Sequence, residues 1–183
     1  PRALALAGRV ADRALVTYGL EPAHLQEAEQ RIADGARAVG RDPAEIEVWH
    51  SARVAMAADE RTAFADARLA MASVAHHALR TSLEAKGVPA GLVRAVEELN
   101  ARYATARHAE PGASPNARLV EELGLMPYLT GRYAIAGTPE RCRTRLAEID
   151  RAGGRNLLLM FAGEDVAGQI RRWSDAVGRV APW

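Results

Sequence analysis

The stretch from Tyr133 to Phe161 constrains the fold more than any other part of this 183-residue chain. It reads as one complete helix-to-strand unit. The Thr138 hydroxyl can cap a helix, and Pro139 follows at the first helical position, where no N–H is needed. Glu140 places a negative charge at the positive end of the helix dipole. Leu146, Ile149 and the aliphatic stem of Arg145 share one face, and Gly153-Gly154 stops the helix. Asn156 to Phe161 is a short apolar run, which predicts a parallel strand buried on both faces.

The rest of the chain repeats this alternation. Arg2 to Asp12 predicts a helix and Ala14 to Tyr18 a strand. Pro22 to Val39 predicts a long helix with Leu25, Ala28, Ile32, Ala36 and Val39 on one stripe. From Ile46 to Met56 the period changes to two. Ile46, Val48, His50, Ala52, Val54 and Met56 make an oily face, and Glu47, Trp49, Ser51 and Arg53 a mixed one. Asp59 caps a predicted helix reaching about Ala85. Further helices are expected from Pro89 to about Arg107, from Asn116 to Leu123, and from Glu164 to about Gly178. The last carries Val166, Ile170, Trp173 and Val177 as its apolar stripe. His108 to Pro115, rich in Pro, Gly and Ser, reads as a loop. Strands alternating with helices imply parallel βα units. Three strands cannot close a barrel, which typically takes about 250 residues.

Several stretches carry a resemblance. AIAGTPERCRTRLAEIDRAGGRNLLL resembles the final helix–strand unit of the bacterial luciferase-like monooxygenases, in particular the subgroup using the deazaflavin coenzyme F420. PRALALAGRVADRALVTYG is similar to the segment after that family's Ser-Gly-Pro phosphate loop. DPAEIEVWHSARVAMAADE resembles its next strand, and HHALRTSLEAKGVP with NARLVEELGL resembles the subgroup's insert. The resemblance implies an α/β fold made of the C-terminal three βα units of a (β/α)8 TIM-type barrel. It would be a single domain over residues 1–183, with a helical insert at about 59–124 before the last strand. It implies an oxidoreductase moving a hydride between F420 and a small organic substrate. An FMN-dependent monooxygenase of the same fold is the alternative. A helical dimerisation module without catalysis is a rival from another class.

Composition narrows the partners. A net charge of +1 provides no field for nucleic acid or a membrane surface. Of the 24 basic residues only Lys86 is lysine, a bias toward Arg rather than a binding tract. Cys142 is the single cysteine, so no internal disulfide forms and a reducing cytoplasm is expected. No apolar run reaches the roughly 20 residues of a membrane span. The chain has no initiator Met and opens inside what reads as a helix, which predicts further sequence upstream. Unpaired strand edges predict a homo-oligomer.

Barrel sites lie at the C-terminal ends of the strands. Thr17 to Leu20, Arg53 to Asp59 and Met160 to Glu164 qualify by position. Pro1, Arg2 and Ala3 open a helix whose free N–H groups favour an anion, and the resemblance places the coenzyme's phosphate there. Tyr18 and Gly19 are the other expected cofactor contacts. Trp49 and Arg53 are placed in the lumen as substrate contacts, and His77 at the mouth. The resemblance puts Arg132 on a substrate phosphate, which its planar fork of donors suits. His76 and His77 project about 100° apart on a helix and cannot converge on one metal ion. His50 reads as a core histidine. No catalytic side chain and no metal ligand is assigned, and Cys142 lacks a partner base.

Overall fold

Every strand pairing is parallel in the computed structural model of the chain, which describes residues 2–107 and 114–178. The order is α1 (Arg2–Val10), β1 (Arg13–Val16), α2 (Pro22–Arg37), β2 (Glu47–Met56), α3 (Glu60–Ala78), α4 (Ala90–Arg102), α5 (Pro115–Glu122), α6 (Met126–Tyr133), β3 (Ala134–Gly137), α7 (Pro139–Arg151), β4 (Leu157–Phe161) and α8 (Val166–Val177). Pro1 lies outside the described residues, as does most of the loop expected at His108 to Pro115.

The long strand β2 is the axis. One edge takes β4, with His50 opposite Leu157 and Val54 opposite Phe161. The other edge takes two strands in succession. β1 pairs from Arg13↔Glu47 to Val16↔His50, and β3 pairs from Arg53↔Ala134 to Met56↔Gly137. The sequence reading predicts three strands, and β3 corrects it to four among the described residues. Ala134–Gly137 is too short to show a period. It is a strand because β1 turns away after Val16 and leaves the upper edge of β2 unpaired.

The two faces of β2 separate as the alternation predicts. Ala52, Val54 and Met56 pack with Leu25, Ile149 and Trp173 beneath the helices. Ala14 and Val16 of β1 pack on Ala28, Ile32 and Ala36 of α2. The opposite face carries Leu15 from β1, Trp49 and Arg53 from β2 and Met160 from β4. Leu15 is 60% exposed and Met160 37%. The expectation that Asn156 to Phe161 is buried on both faces is thus corrected, because the second face of the sheet stays open among the described residues. α8 departs in the same way. Trp173 is buried, but Val166 and Ile170 stand exposed.

The helices after β2 form their own core around Met71, Val74, Leu79, Val96, Leu99, Leu119 and Leu129. Asp59 caps α3 by accepting from Thr62 N at 3.0 Å. α3 ends at Ala78, short of the expected Ala85. Asn100 Nδ2 takes the Leu79 carbonyl at 2.9 Å, and Ser82 turns the chain at a φ of 56°. α4 stops at Arg102 because Asn116 accepts from Ala104 N and donates to Ala104 O, pinning the backbone out of the helix. α6 is a helix the sequence reading does not anticipate. The Thr138 cap is present, its hydroxyl accepting from Arg141 N at 3.3 Å. No helix among the described residues is long and apolar enough to cross a membrane.

Candidate functional site

The C-terminal ends of the strands form one rim, built from three parts. The first follows β1. Arg132, at the end of α6, is fully buried. Its Nε and Nη2 donate to Tyr18 O at 3.0 and 2.9 Å, Nη2 also donates to Lys86 O at 2.7 Å, and Nη1 donates to Tyr128 Oη at 2.6 Å. Leu20 N donates back to Arg132 O at 2.7 Å. The guanidinium carbon lies 5.3–5.9 Å from the ring centres of Tyr18, Tyr128 and Tyr133. Such contacts with ring faces are attractive for a desolvated cation. Burial, then the Arg132 charge, pulls both His24 and Lys86 below their usual pKa. Burial raises the Tyr133 phenol well above its ordinary range. Gly19 has a φ of 149°, and a Cβ there would stand 2.8 Å from His24 Cγ, so this turn needs glycine.

The second part is the open face of the sheet, the one the sequence reading places in a barrel lumen. Thr17 Oγ1 and Ser51 Oγ hydrogen-bond at 2.7 Å, one pleat below Arg53. Arg53 Nη1 donates to Met160 Sδ at 2.9 Å. Burial alone lowers the Arg53 pKa. At the opposite end of the face, Arg13 and Glu47 close an ion pair at 2.8 Å.

The third part follows β4. Buried Gln169 accepts from Met56 N at 2.7 Å and donates to Asp66 Oδ2 at 3.0 Å, tying α8 to the end of β2 and to α3. Beside it lies a cleft of about 490 Å³ walled by Asp66, Arg68, Ser73, Gly163, Glu164 and Asp165. Of these, the sequence reading reached only the Met160 to Glu164 segment. Asp66 and Gln169 sit on amphipathic helices and carry no local signal of a tertiary role.

The expected site residues therefore divide. Tyr18 and Gly19 share a rim cluster with Arg132, and Trp49 and Arg53 share the lumen face. Arg2 and Ala3 are exposed in the first turn of α1. His77 is exposed on α3, whereas its neighbour His76 reaches the α4 side. There it stacks on Tyr103 with ring centres 4.0 Å apart and meets Asn100 Oδ1 at 3.1 Å. His50 is buried, its Nε2 3.4 Å from Glu29 Oε1 and its Nδ1 without a partner. Burial raises the Cys142 pKa to about 11, which makes it an inert thiol. No cluster of potential metal ligands occurs among the described residues.

The parallel α/β sheet, with its candidate residues on the strand C-termini, is similar to the fold of luciferase-like TIM-barrel enzymes. The chain belongs to the luciferase-like monooxygenase family, whose pattern it matches over residues 1–156. Two solved structures share the fold. One is the coenzyme F420-dependent tetrahydromethanopterin reductase from Methanopyrus kandleri, with a TM-score of 0.61 at 20% identity over 95% of this chain and 46% of that one. The other is an F420-dependent secondary alcohol dehydrogenase in complex with an F420-acetone adduct, with a TM-score of 0.60 at 16% identity over 98% and 47%. The chain thus spans about half the length of these enzymes.

Proposed function

We propose that this chain is the C-terminal part of a luciferase-like oxidoreductase that transfers a hydride between coenzyme F420 and a small organic substrate. In this reading β1, β2 and β4 are the last three strands of a (β/α)8 barrel, and α3 to α5 are an insert before the last. The observation that carries it is the lumen face. Trp49, Ser51, Arg53 and Met160 project from adjacent strands onto an uncovered surface below a common rim. Both solved structures named above are F420-dependent.

The residues fit an elongated cofactor bearing a phosphate. The first turn of α1 leaves backbone N–H groups free at an exposed helix start, near Arg2 and Ala3. Tyr18 and Gly19 would shape the rim beside the cofactor, their turn being closed from within by His24 and Arg132. A bound deazaflavin supplies the hydride chemistry, and the protein supplies position and electrostatics. Trp49 and Arg53 would line the substrate's side, with Arg132 offering its one uncommitted N–H and His77 contributing only if the mouth extends to α3. FMN is the alternative cofactor, in keeping with the monooxygenase description of the family. A small-molecule partner, a homo-oligomeric state and a cytoplasmic setting complete the reading, with neither nucleic acid nor membrane engaged.

The test is spectroscopic. F420 and FMN are titrated in parallel, and F420 absorbance is followed with small secondary alcohols. Both are done for this chain and for a chain extended by its upstream coding sequence. Turnover is expected only in the extended protein. Tighter binding of FMN would favour the alternative, and binding of neither by the extended protein would leave the helical module.

A further inference from the structure

Among the described residues, Arg53 is a cation with no anion. It lies on the lumen face of β2, between Ala134 of β3 and Met160 of β4 in the strand register. The single hydrogen bond its guanidinium makes among the described residues goes to the Met160 thioether, a weak acceptor. No ion pair among the described residues involves it. The other charged pair on this face, Arg13–Glu47, is closed upon itself at 2.8 Å. Glu47 stands six residues below Arg53 along the strand, about 20 Å at roughly 3.3 Å per residue. Burial lowers the Arg53 pKa and no neighbouring charge opposes it. The surroundings are also those of a binding wall. The Thr17–Ser51 hydroxyl pair lies one pleat below, Trp49 the next pleat down, and Leu158 and Met160 across on β4.

We infer that Arg53 is the binding point for an oxyanion, a carboxylate or phosphate carried by the substrate. Its planar fork of donors matches either group, while the hydroxyl pair and the Trp49 indole accept the rest of the molecule. This rests on the reading of the lumen as the substrate chamber and adds the class of substrate.

The test uses benzoate and inorganic phosphate as probes at constant ionic strength, with chloride as the control. Trp49 emission is the readout, and Trp49→Phe identifies the signal. A saturable change is expected with at least one probe. Arg53→Met should raise its dissociation constant about tenfold or more, the loss of one charge-assisted hydrogen bond, and Arg53→Lys should restore part of it. Saturation by benzoate alone assigns a carboxylate, and by phosphate alone a phosphate ester. In the wild type, the bound probe should protect Arg53 from phenylglyoxal, mapped by mass spectrometry, which needs no folded variant. No saturable binding, or equal binding and modification with and without Arg53 available, overturns the assignment. Failure of F420 and FMN to bind while Arg53 still takes the probe would reject the cofactor reading and leave this one standing.

Discussion

Arg132 holds the backbone carbonyl of Tyr18 with two donors, at 3.0 and 2.9 Å, across 114 residues of sequence. Leu20 N closes the bracket from the other side. The rim after β1 is therefore shaped by a cation that lies wholly inside the protein. The family resemblance points to a substrate phosphate for this residue, and the geometry shows where most of its N–H groups are already committed.

Arg132→Met should cost roughly 3–5 kcal/mol, because it strands the Tyr18 and Lys86 carbonyls in a buried setting. Arg132→Lys should recover little, since one ammonium cannot reproduce the fork. Urea unfolding checks both. A lysine variant of normal stability that has lost only anion affinity would make Arg132 a ligand residue instead.

The crossing of α1 and α2 should tolerate no side chain at Gly35. A Cβ there would collide with the Ala5 backbone carbonyl. Gly35→Ala should destabilise by about 1–3 kcal/mol or more despite its better helix propensity. Gly131 in α6 has nothing within 4 Å of its missing Cβ, so Gly131→Ala should be neutral or stabilising by up to about 1 kcal/mol. Thermal melts of the two variants side by side should move in opposite directions.

Thr138 is expected to serve stability and not chemistry. Its cap on α7 makes Thr138→Ala cost roughly 0.5–2 kcal/mol while cofactor affinity stays unchanged. Melts with and without cofactor separate the roles. A variant that melts normally but gains nothing from cofactor would place Thr138 in the site.

Acidification should weaken the fold through His50. Burial lowers its folded pKa, and Glu29 offsets this only in part. The unfolded chain takes up the proton near its ordinary value of about 6.5, the folded chain only at lower pH. Stability is thus fully present above about pH 6.5 and falls from there toward the folded pKa. His24 shifts in the same direction. Urea midpoints between about pH 8 and about pH 5 should show this acid limb, shallower in His50→Gln. Rising stability on acidification would contradict the assignment.

This chain alone should self-associate. Leu15 and Met160 on the open face of the sheet, Leu6 and Val10 on α1, and Val166 and Ile170 on α8 are exposed, and β1 and β4 each leave one edge unpaired among the described residues. At about 25 cal/mol per Å², covering even a few hundred Å² would drive pairing. Sedimentation should show concentration-dependent mass in the micromolar range, reduced in Leu15→Glu with Ile170→Glu. A strict monomer would refute it.

What the sequence by itself determined was local and periodic. The Thr138-Pro139 start, the split faces of β2, the burial of His50 and the parallel βα order follow from residue chemistry along a few turns or pleats. Tertiary structure decided the rest. β3 exists because β1 leaves the upper edge of β2 vacant, a fact about two segments some 120 residues apart in sequence. The partners of Arg132 come from Tyr18, Lys86 and Tyr128, and no spacing in the sequence announces such a meeting. Of two adjacent histidines, the position of α4 stacked His76 on Tyr103 and left His77 outside. Val166 and Ile170 have the helical spacing of core residues, yet among the described residues no element covers them. A period reports that a face is apolar, and only the packed chain decides what covers it.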